Sequence, residues 1–432
     1  MNPTGKRAVI TLCGALCAFG LSEASVAAQT TITFLTYQNL RYGKAMQTLV
    51  DEFNAEQNQI KVEIQWGSYS GDILQKFQAG YAAGSPPDVL WGLNTDPALF
   101  AKGMVLAVDP YLKSSPELAA RRFLPGVSEG LTYDGKLYGM PFGVNLDYGV
   151  LYNRSLFAAA GLTPPRTGWT WDEFLQDAQR TTLDANGDQK SEQYGWGLWD
   201  WNAFEWISSA GGRIFDKNAA AGRHWFPDTD ATVEALQFMY ELMNVYRVQP
   251  LDGGAGGGGM FSDGTVAMVG EGSYAIPTVQ ANAPNLDFSS VAWPARARHD
   301  ILVYPYALYL VNTGTAQTRA ASWSFIQWMS RQDHEIKDAV IAGQVPAHLD
   351  AAASADYRGQ VNRQTPQLLP LIDEAVDYGT PYPLVIGTDF VTKQMKSLFA
   401  DAAAGKISPK AALQTLHEKV QAYYADIDTP LH

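Results

Sequence analysis

The stretch Leu131–Asn153, LTYDGKLYGMPFGVNLDYGVLYN, decides how the rest of the chain is arranged. Its first half reads strand, turn, strand. Asp134-Gly135 stands between Tyr133 and Lys136-Leu137, and Asp-Gly is a tight-turn pair because glycine takes a positive φ without steric cost. Gly139 and Pro141 disfavour a helix across Gly139-Met140-Pro141. From Pro141 the chain is expected to run extended through Asn145 and Asp147, and the apolar run Tyr148–Tyr152 follows. Two readings suit these residues. One is a covalent crossing between two lobes with Asn145 and Asp147 exposed at the junction; the other is an ordinary hairpin inside one domain.

Working outward, 432 residues are too many for one ordinary core, which sets two lobes as the expectation. A 46% hydrophobic and 17% charged composition describes a folded chain rather than a disordered one. Twelve tryptophans supply large apolar faces with a polar handle, suited to cores, interfaces and sugar platforms alike.

The N-terminus reads as a targeting segment, residues 1–28. Lys6-Arg7 give a positive start, Ala8–Leu21 is apolar but short for a bilayer, and Val26-Ala27-Ala28 offers a cleavage site before Gln29. Leu12 precedes Cys13 and Leu16 precedes Cys17, which argues against a lipid-modified cysteine. A cleaved secretory signal and a periplasmic product are expected; an uncleaved anchor is the alternative. Both cysteines of the sequence lie in this segment, so the exported chain would have no disulfide, no thiolate metal site and no cysteine nucleophile. Loss of Lys6, Arg7 and Glu23 would move the net charge from -13 by one unit to -14. Such acidity repels nucleic acid and anionic membranes on average. No later apolar run reaches spanning length, so the exported product is expected to be soluble.

The first lobe alternates strand and helix. Thr30–Leu35 reads as a strand, and Met46, Leu49, Val50 and Phe53 repeat at the helical period. Ile60–Trp66 alternates strictly, a half-buried strand, and Leu74, Phe77 and Tyr81 mark one side of the next helix. Val89-Leu90-Trp91 is a short buried strand, Asp96 reads as an N-cap with Pro97 at the first helical position, and Gly103 stops that helix. This order predicts a mostly parallel sheet covered by helices, whose ligands gather beyond the carboxyl ends of the strands. Three loops qualify, and they nominate Tyr37, Gln38, Asn39, Ser68, Tyr69, Asn94 and Asp96 as ligand-binding residues.

At this point the chain resembles the extracellular solute-binding proteins of bacterial carbohydrate ABC importers, the branch that includes maltose-binding protein. The likeness is carried by Gly84-Ser85-Pro86-Pro87-Asp88-Val89, Asp134–Phe142, Leu151-Tyr152-Asn153, Ala160-Gly161-Leu162, Pro164-Pro165 and Thr170-Trp171-Asp172-Glu173. It continues in Gly264–Met268, Gly272-Ser273-Tyr274 and Gly405–Pro409, and it is the order and spacing together that are specific. Gly272-Ser273-Tyr274 departs from the family's usual Gly-x-Trp, placing a tyrosine where another aromatic is expected. The resemblance implies an α/β protein of two discontinuous lobes joined by a multi-strand hinge, of the type II periplasmic-binding class, closing on a ligand and then docking on a membrane permease. With Val291–Pro294 and Gln344–Pro346 as further crossings, the N-terminal lobe takes residues 29–144 and 296–346, and the C-terminal lobe takes 145–295 and 347–432.

The second lobe opens with a capping box, Thr170-x-x-Glu173. Asp184, Asn186 and Asp188 place oxygens at alternate positions like part of a calcium loop, but Gln189 and Gly195 stand where such a loop needs glycine and a bidentate acid, and a polar surface turn is the preferred reading. Gly195–Trp206 is the densest aromatic stretch; by family position Trp199 and Trp201 face the cleft beside Asp200, against the alternative of core aromatics. Asp252–Gly259 is glycine-rich but lacks a following Lys-Ser/Thr, and reads as a loop rather than a phosphate cradle. Val266–Val269 is a buried strand delivering Glu271, Gly272, Ser273 and Tyr274 to an edge, where Glu271 is either a ligand contact or a solvated turn acid. Tyr304, Tyr306 and Asp389 complete the candidate set. Ser408 caps the last helix, with Leu413, Leu416 and Val420 inward; Tyr423-Tyr424 on it reads as packing.

No catalytic set stands out. The exported chain lacks cysteine, and no paired-histidine motif suggests catalytic zinc. What the resemblance implies is then the expected function: capture of a neutral mono- or oligosaccharide or polyol by a monomer without cofactor, delivered to ABC permease subunits, with no enzymatic activity. A secreted glycoside-active enzyme using a carboxylate pair is the alternative.

Overall fold

In the computed structural model the described residues are 29–38, 41–68, 70–92, 97–147, 149–186, 191–197, 202–212, 229–250, 257–382 and 388–428. The proposed signal segment, with its two cysteines, lies outside them.

Two sheets organise these residues. The larger contains β1 (Thr30–Tyr37), β2 (Ile60–Gly67), β3 (Val89–Gly92), β6 (Met140–Asp147), β11 (Ile301–Leu310), β12 (Val345–Pro346) and β13 (Gly379–Pro381), in the order β12-β6-β11-β3-β1-β2 with β13 beside β11. The smaller contains β7 (Gly149–Asn153), β8 (Tyr194–Gly197), β9 (Val266–Glu271) and β10 (Phe288–Val291), in the order β10-β7-β9-β8. A separate two-stranded ribbon, β4 (Thr132–Tyr133) and β5 (Lys136–Leu137), is the hairpin read from Asp134-Gly135. Both turn residues have positive φ, 47° and 69°, as a primed turn requires.

The strands and helices read for the first lobe are present, but the short helix Ala98–Ala101 has Pro97 as its N-cap rather than at its first position, and Asp96 lies outside the described residues. β1 pairs in parallel with β2 and β3, through crossovers containing α1 (Tyr42–Glu56) and α2 (Ser70–Ala82). Met46, Leu49, Val50 and Phe53 are buried along α1, and Phe77 is buried in α2. The sheet is mixed, however, rather than mostly parallel. β11 runs antiparallel to β3 and to β6, and β12 runs antiparallel to β6. The reason is topological: β6 leaves the large sheet for the small one, and β11 brings the chain back the other way.

The long stretch therefore does cross between sheets. β6 belongs to the large sheet as far as Asp147, and β7 begins at Gly149 in the small one. The return comes later than Val291–Pro294. Val291 and Trp293 remain in the second core, and the Ala297 and Arg298 amides still donate to the Ser209 carbonyl (2.8 and 2.9 Å) before β11 starts at Ile301. β11 itself spans two cores: Leu302 and Tyr304 lie with the second, Tyr306–Leu310 with the first. A third apolar cluster, including Val144, Leu146, Leu151, Val269, Ile301 and Val303, fills the space where the two sheets meet.

In the second half, Thr170 and Glu173 form the expected capping box, with Thr170 N donating to Glu173 at 2.7 Å and Glu173 N to the Thr170 hydroxyl at 3.2 Å. Trp171, Phe174, Trp196, Trp206 and Trp293 pack edge to face in its core. Gly257–Ser262 is a short helix rather than loop, held by burial of Phe261; residues 251–256 lie outside the described set. The final helix, Pro409–Asp428, begins as read, with Ala411 N donating to the Ser408 hydroxyl at 3.2 Å.

A buried ionic network ties the helix Gln332–Ala342 to the chain after β12. Glu335, fully buried, accepts from the Ala347 and His348 amides (2.8 and 3.0 Å), from His348 Nδ1, and from Arg121 Nη2 at 2.9 Å. Arg121 also pairs with Asp350 at 2.7 Å, where the carboxylate is 44% exposed. Breaking a buried pair strands a charge, whereas an exposed partner is replaced by water. Glu335→Ala is therefore expected to lower unfolding stability by about 3–5 kcal/mol and Asp350→Ala by less than about 1 kcal/mol, as read from urea unfolding midpoints. Equal losses would show that burial does not govern this network.

Candidate functional site

Where the two sheets meet, residues from five separate segments form one connected polar and aromatic group. The carboxyl ends of β1 and β3 bring Tyr37 and Trp91, whose rings meet edge to face at 5.1 Å. Trp91 also stacks on Tyr306 at 5.1 Å with the planes 11° apart. Tyr42, in the first turn of α1, leans on both, and its hydroxyl lies 3.0 Å from that of Tyr306. The Tyr306 hydroxyl in turn accepts from Asn145 Nδ2 at 2.8 Å. The pairing of β6 with β11 shifts register between Tyr306 and Ala307. Such bulges re-aim side chains and sharpen the local twist, and here the shift sits at the ring that joins Trp91, Tyr42 and Asn145.

Asn145 is buried, and its Oδ1 has no hydrogen-bond partner among the described residues. Across from it lies the start of β12, where Val345 pairs with Val144 and Pro346 with Gly143. This register sets Gln344 beside Asn145, its side-chain polar atoms buried and its side chain in hydrogen-bonding reach of the Tyr42 hydroxyl. Gly143 is needed for that approach, because a Cβ there would stand 2.9 Å from Gln344 Oε1.

The second half contributes the end of β9 and the turn after it. Ser273 is fully buried, and its hydroxyl accepts from the Leu146 amide of β6 at 3.2 Å. Glu271 is buried and accepts from the Tyr274 hydroxyl at 3.3 Å. The Tyr274 carbonyl and the Thr278 hydroxyl both accept from Arg41 Nη2, at 3.2 and 3.0 Å. Arg41 immediately precedes α1, so this guanidinium reaches from one half of the molecule to the other.

The group disfavours fixed negative charge. Burial pushes the Glu271 carboxyl up to about 7, against the smaller lowering effect of the Tyr274 hydroxyl. Burial also pushes up the Tyr42 phenol, although Tyr306 and Arg41 oppose it. Asp338, in the helix behind Tyr42, is held well above the usual carboxylate range by desolvation and then by the Glu335 charge.

Of the nominated residues, the structure brings together Tyr37, Asn145, Glu271, Ser273, Tyr274 and Tyr306. Gly272 is buried and extended between Glu271 and Ser273. Gln38 is exposed, with its amide donating to the Gly67 carbonyl. Ser68 donates through its amide and hydroxyl to Asp72 (2.7 and 2.9 Å), a local cap on α2. Tyr304 packs on Tyr382 at 4.7 Å in the second core, two residues from Tyr306 but in different company. Asp147 ends β6 opposite Leu302, and Asp389 lies at the start of the helix Thr388–Ala403; their side chains are outside the described set. Asn39, Tyr69, Asn94, Asp96, Trp199, Asp200 and Trp201 also lie outside the described residues. In the candidate calcium turn Asp188 is outside them too. Glu192 there accepts from the Ala185 amide and Asn186 Nδ2 at 2.9 and 2.8 Å, and among the described residues no cluster of three or more His, Cys, Asp or Glu is placed to hold a metal.

Arg41, Tyr42, Trp91 and Gln344 were not nominated. A signal for the first three existed: they flank the carboxyl ends of β1 and β3, one step beyond the loops that were chosen. Gln344 gave none, because its neighbour across the sheet is set by register alone.

A family model described as bacterial extracellular solute-binding protein matches residues 48–365 of the chain. Among curated proteins, the sn-glycerol-3-phosphate-binding periplasmic protein UgpB of Escherichia coli is 29% identical over 226 residues, which is 50% of this chain and 49% of that protein. The chain thus spans about half the length of the curated relatives it matches. Among solved structures, an ABC substrate-binding protein from Listeria monocytogenes in complex with cycloalternan has a TM-score of 0.76 at 20% identity, covering 92% of this chain and 99% of that one. The cyclic alpha-maltosyl-1,6-maltose binding protein of Arthrobacter globiformis gives 0.76 at 23% identity, with 91% and 98% covered. The maltose/maltodextrin-binding domain MalE of Bdellovibrio bacteriovorus, bound to maltotriose, gives 0.71 at 20% identity, with 92% and 100% covered. At these identities the likeness is one of fold, the two-lobed type II arrangement.

Glu271 makes the site's pH behaviour testable. Unfolded, its carboxyl ionises near its ordinary 4.5; folded, it keeps its proton to about 7. The folded chain binds more protons in that window, so this residue makes stability fall as pH rises through it. Glu271→Gln is expected to match the parent below pH 4.5 and to exceed it above pH 7, by up to about 3 kcal/mol. Urea midpoints at pH 4.5 and pH 8 measure this, and parallel profiles for the two chains would refute it.

Proposed function

The chain belongs to the bacterial extracellular solute-binding proteins, and from that premise we propose that it is the periplasmic substrate-binding component of an ABC sugar importer. It captures a neutral mono- or oligosaccharide, or a polyol, between its two halves and hands it unchanged to membrane permease subunits. The exported form starts at Gln29 after cleavage of residues 1–28 and acts as a monomer. The lobes run as 29–144 with 301–346 and 145–300 with 347–432, the return being taken at the start of β11.

The observation that carries this reading is the joining of Trp91, Tyr306, Tyr42, Asn145, Ser273, Glu271 and Tyr274 at the meeting of the two sheets. Trp91 and Tyr306 are buried and stacked on each other and support the partly exposed ring of Tyr42, and Tyr274 is partly exposed as well. Such rings suit the C–H faces of a sugar, and amide, hydroxyl and carboxyl groups suit its hydroxyls. A micromolar guest needs about 8 kcal/mol net. Ring contacts supply about 0.5–1.5 kcal/mol each beyond their area burial. Hydrogen bonds made in a site closed to water supply the remainder, at about 1.5–3 kcal/mol when one partner is charged.

The neutral reading is supported by the cost of burying a phosphate dianion without matching cations: Arg41 Nη2 is engaged by Tyr274 and Thr278, while its Nη1 is buried without a hydrogen-bond partner among the described residues. The relatives named for sn-glycerol 3-phosphate make that ester the natural counter-test. We read transport rather than hydrolysis from the matched family, which is one of solute-binding proteins; a carboxyl raised by burial, as Glu271 is, would by itself also suit a glycosidase's general acid.

A melting-shift screen is expected to show stabilisation by maltotriose or another neutral oligosaccharide, with no sugar products released over hours. Stabilisation by glycerol 3-phosphate alone would overturn the neutral-sugar reading, and steady product release would support the glycosidase alternative. Tyr306→Phe removes the hydroxyl between Tyr42 and Asn145 and is expected to weaken the bound sugar roughly tenfold. Trp199→Ala and Tyr274→Ala are expected to weaken it without unfolding the chain, and unchanged affinity in all three variants would discredit the site.

A further inference from the structure

We infer that Arg41 is a clasp between the two halves, a positioning residue that favours their closed arrangement and so controls how long a guest is held. This extends the proposed solute capture and rests on it for its purpose, though its geometry stands by itself. Arg41 sits immediately before α1, beyond the carboxyl end of β1 in the large sheet. Its acceptors belong to the other half: the carbonyl of Tyr274, in the turn after β9, and the hydroxyl of Thr278, in the helix Ile276–Asn282. One guanidinium nitrogen therefore binds two acceptors more than 230 residues away in sequence, 233 and 237 positions on.

The seat of the guanidinium is shaped by a third segment. Gly343 has φ +70°, and a Cβ there would come within 3.2 Å of both Arg41 Nη1 and Pro277 Cγ. Gly343 follows the helix Gln332–Ala342, so a segment preceding β12 packs where the arginine meets the helix bearing Thr278. A second bond between halves lies near: the Leu146 amide of β6 donates to Ser273, at the head of the same turn. When the halves part, the Arg41 bonds must break, because no covalent or sheet connection links α1 to the turn 272–275. The Leu146 bond lies on the crossing strand and moves less. Arg41 is thus placed to report and resist opening at the side away from the strands.

The exported chain would carry no native cysteine, since both lie within residues 1–28, so spin labels can be introduced at chosen sites. Ala83→Cys in the first half and Gln176→Cys in the second are exposed positions away from the network. Pulsed electron-resonance distances between them, with the radius of gyration from X-ray scattering, read the separation of the halves in the purified chain. Arg41→Ala is expected to shift the distance distribution to longer values and to raise the radius of gyration. Thr278→Val, a substitution at an exposed position that leaves the Tyr274 carbonyl in place, is expected to give a smaller shift in the same direction. Arg41→Lys is expected to recover part of the short-distance population. With maltotriose as probe, Arg41→Ala is expected to dissociate severalfold faster than the parent. Distance distributions for Arg41→Ala and Thr278→Val that superimpose on the parent's would overturn the clasp; should Arg41→Ala fail to fold, the Thr278→Val distribution decides. If the parent binds no sugar, the capture reading fails, and the label distances still judge the clasp.

Discussion

The antiparallel ladder of β6 and β11 is the constraint on which the rest of the molecule depends. Both strands pass from one core to another, and their backbone groups must be paired along the whole route because no water reaches them. Pairing each to the other solves this for both at once. Met140 and Phe142 sit in the first core, while Val144 and Leu146 sit in the cluster between the sheets. On β11, Tyr306–Leu310 belong to the first core and Leu302 and Tyr304 to the second. A slip by one residue would turn every one of these side chains to the wrong face. The ladder therefore forbids sliding of one half past the other and leaves bending as the soft motion. The register shift at Tyr306/Ala307 adds a bend at the place where Asn145, Tyr42 and Trp91 gather.

What could be read in the sequence was what neighbours along the chain decide. Asp134-Gly135 gave its turn because only residues tolerant of positive φ serve there. Thr170 and Glu173 gave a helix start because the two groups satisfy each other's orphan donors. Met46, Leu49, Val50 and Phe53 gave a buried helix face through their spacing. Sheet order was different in kind. Parallel β1, β2 and β3 follow from their helical crossovers, but nothing in Ile301–Leu310 announces that it will separate them from β6. Gly257–Ser262 shows the same limit at short range. Its glycines oppose a helix by about 1 kcal/mol each, and burial of Phe261 overrides them.

The candidate site was legible to the extent that strand ends can be counted. Asn145, Ser273, Tyr274 and Tyr306 were nominated from three distant stretches and meet in space. Tyr304 and Tyr306 mark where that reasoning ends. They are two residues apart on one strand, equally buried, and chemically identical, yet one packs on Tyr382 and the other on Trp91. The point at which β11 leaves one core for the other decides between them, and that point is a property of two sheets rather than of a local sequence. Arg41 was passed over for a related reason. A cation beside a helix start gains nothing from the helix dipole and reads as solvated; its partners lie in the other half.

The chemistry of Arg41's acceptors bears on how such a contact can work. A carbonyl and a hydroxyl are neutral, so opening leaves no stranded counter-charge in the second half, and water can replace both bonds. Net exchange of a hydrogen bond with water is worth on the order of 1 kcal/mol, somewhat more when the donor is charged. An interaction of that size changes a two-state population several-fold without trapping either state. A carboxylate at the position of Thr278 would bind the guanidinium more tightly, but opening would then separate an ion pair and close the molecule against its own guest. Neutral acceptors bias closure weakly enough for a guest's own hydrogen bonds to decide the balance.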